Sequence, residues 1–146
     1  MTDFHNMPGH LIRRLNQIAT GLFRDTIQTA GFDLTPVQFA ALSALAKTPG
    51  IDQASLAAHI AYDKVTLGGV VDRLAAKGLL SRAPSATDRR AKALTLTPKG
   101  EAALAAATPA VRALQDDILD GLDPKERQTL IELLKKLTTA HESKVD

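Results

Sequence analysis

Residues 55–100 read SLAAHIAYDKVTLGGVVDRLAAKGLLSRAPSATDRRAKALTLTPKG. Asp52, just upstream, caps a short helix over 53–60 with Leu56 and Ile60 facing inward. Asp63 caps a longer helix over 64–77, whose apolar side is expected to bury Val65, Val70, Val71 and Leu74. Gly78 ends it where a left-handed residue is needed. Leu79–Ala83 and Lys92–Thr97 read as two short strands, with Leu94 and Leu96 alternating inward, joined by the polar segment Pro84–Ala91. Helix, tight turn, helix, strand, basic loop and strand, in that order, describe a winged helix-turn-helix.

The charge of this unit differs from that of its flanks. From Asp63 to Lys99 there are eight basic residues (Lys64, Arg73, Lys77, Arg82, Arg89, Arg90, Lys92, Lys99) and three acidic ones (Asp63, Asp72, Asp88), a net +5 within a chain of net +2. Residues 1–62 are neutral, with four acids and four bases, and residues 101–146 carry −3, with nine acids and six bases. A basic element in a near-neutral chain is the electrostatic footprint of a phosphate-binding face, although most charge runs are merely solvated.

Working outward, Leu11, Leu15, Ile18 and Leu22, with Ile12, Ala19 and Phe23 beside them, define an amphipathic helix over about 9–30, closed by Gly31. Thr35-Pro36-Val37-Gln38 and Asp123-Pro124-Lys125-Glu126 are both capping boxes with a first-turn proline, and Thr97-Pro98 is a similar start. Helices therefore run over about 36–47, 98–120 and 124–142. The middle one places Leu104, Val111, Leu114 and Ile118 on one face, with a kink expected at Pro109. The last is expected to bury Leu130, Leu133, Leu134 and Leu137. The first and last helices carry more apolar face than one small lobe needs, so they are read as a dimer interface between two copies, against the alternative that they pack on each other within one chain. The fold class is mainly α with a small β-hairpin: residues 1–34 an N-terminal dimerisation helix, 35–100 the winged helix-turn-helix, and 101–146 C-terminal dimerisation helices.

Composition excludes several chemistries. There is no Cys, hence no disulfide, thiolate metal site or thiol redox sensor. The four His residues (His5, His10, His59, His141) form no metal or catalytic constellation, and no Gly-rich phosphate loop follows a strand. No cofactor, metal or enzymatic activity is expected. No apolar run reaches the roughly 18 residues of a membrane span. The N-terminus lacks a signal core, so a cytoplasmic location is expected.

VVDRLAAKGLLSR, then Thr87-Asp88-Arg89-Arg90, then ALTLTPKG, resembles the MarR (multiple antibiotic resistance regulator) family over nearly the whole chain. The Asp-Arg-Arg wing and the Leu-Thr-x-x-Gly exit from the second strand are the most specific marks. The resemblance implies a homodimeric transcription factor, usually a repressor, that binds a palindromic double-stranded DNA operator and lets go when a small molecule binds. The opening MPGHLIRRLNQIATGLF is similar to the subgroup controlling catabolism of aromatic acids and their conjugates, which implies an aromatic carboxylate or its thioester as effector.

The candidate DNA contacts follow. The second helix of the motif enters the major groove with its N-terminal half leading, which presents Lys64, Thr66, Leu67, Gly68 and Gly69. Lys64 reaches a guanine edge or a phosphate; Thr66 touches a thymine methyl or donates a hydrogen bond. The two glycines depart from the family pattern, which carries a hydroxyl and an Arg near there. They either allow close backbone approach or relieve crowding against a neighbouring helix. Arg73 binds a phosphate or pairs with Asp72 or Asp88. Gln53 and Ser55 start the preceding helix and suit phosphate contacts. In the wing, Asp88 holds one of Arg89 and Arg90 while the other enters the minor groove, with Lys92 adjoining.

The resemblance places the effector between the dimer helices and the DNA-binding lobe. The candidates are His10, Arg13, Arg14, Gln17, Phe39 and Tyr62, with Arg13 or Arg14 facing a carboxylate and Phe39 an apolar wall. Three rivals remain beside this reading: an enzyme, an effector-independent architectural DNA-binding protein, and a protein-interaction module. The acidic termini weigh against the second and the Asp-Arg-Arg wing against the third.

Overall fold

The computed structural model describes residues 3–85 and 92–142. A short 3-10 helix (Phe4–Asn6) leads into α1 (Pro8–Thr29), followed by α2 (Pro36–Lys47), α3 (Gln53–His59), α4 (Lys64–Ala76), β1 (Leu80–Pro84), β2 (Lys92–Leu96), α5 (Pro98–Ile118) and α6 (Pro124–Glu142). The helix starts are local chemistry. Thr35 accepts the N–H of Gln38 while the Gln38 side chain accepts that of Thr35, a complete capping box. Asp123 and Glu126 make the same reciprocal pair, and Thr97 accepts the Gly100 N–H. Each expected helix is present to within about two residues, the ordinary uncertainty of a helix end. The expected kink position does not interrupt α5, which runs on both sides of Pro109.

The hairpin pairs Leu80 with Leu96 through Pro84 with Lys92 in antiparallel register. Its strands are shifted from the sequence expectation by one residue at their ends. The Leu79 carbonyl still accepts from the Thr97 N–H at 3.1 Å, so the ladder frays rather than stops. On its other edge β2 meets the loop after α2: Leu94 exchanges backbone bonds with Gly50 and Ile51 at 2.8 and 2.9 Å. That bridge seats the hairpin against the helices.

A single buried cluster joins Leu42 and Leu45 of α2, Leu56 of α3, Leu67, Val71 and Leu74 of α4, Leu94 of β2, Ala107 and Leu114 of α5, and Ile27 of α1. Every one of these is fully or almost fully removed from water, and a buried Leu contributes about 1.5–3 kcal/mol. The apolar terminal helices do not follow. α6 buries no residue, and Leu133, Leu134 and Leu137 stand 44–54% exposed. Leu11, Ile12, Leu15 and Ile18 on the first half of α1 are 39–59% exposed. The expectation that α6 buries its leucines is corrected for one protomer: among the described residues its stripe is not covered. Among the described residues no helix is long and apolar enough to cross a membrane.

Candidate nucleic-acid interface

Two aspartates set the helix-turn-helix geometry. Asp52 accepts the Ser55 N–H at 2.7 Å and Asp63 accepts the Thr66 N–H at 2.8 Å. The Thr66 hydroxyl adds a second bond to Asp63 at 2.7 Å. The backbone N–H first and the hydroxyl second hold the Asp63 carboxyl below the ordinary carboxylate range. Backbone and side chain of Ser55 do the same for Asp52. Both caps prefer the charged form because an ionised oxygen is the better acceptor.

Leu67, Val70, Val71 and Leu74 are the buried residues of α4. Their spacing fixes the phase of the helix, and two expectations are corrected by it. Leu67, expected to face DNA, is fully buried, whereas Val65, expected in the core, is 86% exposed. The signal was available in the sequence: 67, 70, 71 and 74 share a face, and 65 lies across the helix from it. The outward stripe is thus Lys64, Val65, Thr66, Gly68, Gly69, Asp72 and Arg73.

Along this stripe the side chains have definite partners. A Cβ on Gly68 would meet the Gln53 side-chain nitrogen at 3.4 Å, so this glycine faces α3. Gln53 donates to the Lys64 carbonyl at 3.4 Å. A Cβ on Gly69 would meet the Arg73 guanidinium at 3.5–3.8 Å, so Arg73 lies back over that glycine. Neither glycine is required sterically. Asp72 pairs with Arg82 of β1, not with Arg73, and the bond ties the recognition helix to the hairpin. Ser55 is exposed at the start of α3.

The +5 of the 63–99 stretch overstates what faces outward. Lys77 donates to the Asp33 carbonyl at 2.6 Å and meets its carboxylate at 3.2 Å. Lys99 donates to the Lys77 carbonyl at 2.9 Å, closing the end of α4. With Arg82 held by Asp72, the exposed cations among the described residues of the stretch that these bonds leave unengaged are Lys64, Arg73 and Lys92. Asp88, Arg89 and Arg90 lie outside the described residues.

Of the six effector candidates, His10 and Arg13 are in contact. The Arg13 guanidinium lies 3.2 Å from His10 Nδ1, and the His10 ring is tilted against that of Phe4 with the centroids 4.4 Å apart. Arg14 and Gln17 are exposed on α1. Phe39 sits at the core edge, its ring 6.3 Å from that of Phe23, and Tyr62 is 38% exposed before α4. Among the described residues, one open groove of about 480 Å³ lies between α2, β2 and α5, with Glu101, Thr108 and Arg112 at its polar side, and another of about 180 Å³ between α1 and α5 beside Thr20 and Gln115. Neither is lined by any of the six. These grooves arise where distant helices meet, and no local pattern marks them.

A family profile described as MarR family matches residues 32–91. The chain is 33% identical to the HTH-type transcriptional repressor NicR of Pseudomonas putida over 97% of this chain and 88% of the relative. Its fold is similar to Bordetella bronchiseptica BpsR, whose structure concerns regulation of DNA binding by 6-hydroxynicotinic acid. The TM-score is 0.88 at 33% identity, covering 94% of this chain and 97% of that one. A mutant MarR of Escherichia coli complexed with operator DNA superposes with a TM-score of 0.83 at 28% identity, covering 93% of this chain and 99% of that one.

Proposed function

We propose that this chain, which belongs to the MarR family of winged-helix, DNA-binding transcriptional regulators and is not an enzyme, acts as a homodimeric repressor that releases a palindromic operator on binding a small aromatic acid or its conjugate. The carrying observation is the outward side of α4, on which Lys64, Thr66 and Arg73 are exposed and Gly68 and Gly69 half-buried. A helix of this kind fits the major groove, and its cations supply the phosphate contacts that set register. Ser55 and Gln53 at the start of α3, and Lys92 with Asp88, Arg89 and Arg90 in the wing, complete the proposed contact surface. Leu67 is withdrawn from it because it is buried.

Dimerisation is supported by the two open apolar faces, on the first half of α1 and along α6. Exposed patches of this extent on a small protein mark an interface. In this reading residues 1–34 and 101–146 join two copies around the winged helix-turn-helix of each. The proposed effector residues are His10, Arg13, Arg14 and Gln17 on α1, Phe39 on α2 and Tyr62 before α4, and in this reading the second copy helps to close a pocket around them. The reading of an aromatic acid is supported by the ligand of BpsR.

The test is fluorescence anisotropy of the purified chain on duplex DNA from its own upstream region, with and without 6-hydroxynicotinic acid and other aromatic carboxylates. Specific binding that a carboxylate reverses supports the proposal. Specific binding that no carboxylate or thioester alters favours the effector-independent architectural reading.

A further inference from the structure

We infer that base readout by the recognition helix is apolar, with Val65 reading thymine methyl groups; this deepens the DNA-binding reading above and rests on it. Val65 is 86% exposed, the largest exposure among the large apolar side chains of the described residues. The other exposed large apolar residues lie at the N-terminus, on α1, on α6, and at Tyr62 in the turn before α4. Val65 is the one on the recognition helix, at its second position.

The remaining residues of the stripe are poor candidates for hydrogen-bonded base readout. The Thr66 hydroxyl donates to Asp63 at 2.7 Å, which commits its proton. Gly68 and Gly69 have no side chain. Asp72 is held by Arg82. The Arg73 guanidinium lies back over Gly69, one turn behind Val65. Lys64 is a flexible point charge suited to a phosphate. The leading edge that enters the groove therefore presents the two methyls of Val65. In the major groove the one apolar feature of a base edge is the C5-methyl of thymine.

The test begins with selection of duplexes from a random-sequence library by the full chain. The enriched duplex is then remade with deoxyuridine in place of thymine, one position at a time, which deletes a methyl group and nothing else. Affinities are compared for the native chain and for Val65→Ala, a surface change whose melting temperature is expected to match. At one or more positions uracil is expected to weaken the native chain about fourfold, the value of one buried methyl group. In Val65→Ala the same substitution is expected to matter less than about twofold. Native binding insensitive to uracil throughout, or a loss undiminished in Val65→Ala, would overturn the inference while leaving sequence-specific binding intact. Failure of the selection to enrich any sequence would overturn the DNA-reading assignment and this inference together.

Discussion

Gly100 and Leu79 touch backbone to backbone: a Cβ placed on Gly100 would lie 1.9 Å from the Leu79 carbonyl oxygen. That same oxygen accepts the Thr97 N–H at 3.1 Å. The contact joins the root of the hairpin to the first turn of α5, and so couples the DNA-facing unit to the long helix that packs on α1.

No side chain fits there, and the obstacle is backbone, which cannot swing aside. Gly100→Ala is expected to cost about 2–3 kcal/mol or more, the upper range for overpacking. For a chain of this size that lowers the melting temperature by roughly 6–12 °C. A melting curve unchanged by the substitution would show the junction to be soft.

Neighbouring positions on α4 should behave oppositely. Leu67→Ala leaves a cavity in the core and is expected to cost about 2–5 kcal/mol in denaturant unfolding. Val65→Ala is expected to stay within about 0.5 kcal/mol of the native chain, because the side chain is in water. Equal losses at the two sites would mean the helix is rotated from the phase described.

The cations divide by geometry into two groups. Lys64→Ala, Arg73→Ala and Lys92→Ala are each expected to weaken DNA binding and to reduce the slope of log affinity against log salt by about 0.9 where the side chain contacts a phosphate. Lys77→Ala is expected to leave that slope unchanged, since its ammonium is engaged by Asp33. Salt titrations of the four variants decide the matter, and a reduced slope for Lys77→Ala would contradict the division.

Asp52 and Asp63 make acid unfolding sensitive to the helix-turn-helix. Their folded pKa values lie below the ordinary value of 3.8 because the caps favour the charged form. A depressed carboxylate contributes stability that is fully present above the unfolded pKa and is lost as pH falls through the folded one. Stability should therefore decline below about pH 4. Asp63→Asn, which still caps but does not titrate there, should show a shallower decline between pH 4 and 2. Parallel pH profiles for the two proteins would count against this origin.

Ala61 takes a left-handed conformation, φ 55°, in the turn between α3 and α4. The same pattern of backbone bonds at the end of α4 uses Gly78. Strain of about 1–2 kcal/mol for a residue with a side chain exceeds the added chain entropy of glycine, about 0.5–1 kcal/mol. Ala61→Gly is thus expected to raise stability by roughly 0.5–1 kcal/mol, read from the denaturant midpoint. A fall in the midpoint would show that the turn carries no strain.

The sequence by itself determined the elements and their order. Caps at Thr35, Asp52, Asp63, Thr97 and Asp123, and the stop at Gly78, act through groups three or four residues away, so a local reading suffices for them. The buried spacing of Leu67, Val70, Val71 and Leu74 also lay in the sequence, and respecting its phase would have turned Val65 outward. Tertiary structure alone decided which charges remain for a ligand. Lys77 is spent on Asp33, forty-four residues earlier, Arg82 on Asp72, and Lys99 on the end of α4. It alone left the leucines of α6 and the first half of α1 open. A helical stripe states that a face is apolar; whether its own chain or another covers it depends on contacts between residues far apart in sequence, and no local spacing encodes those.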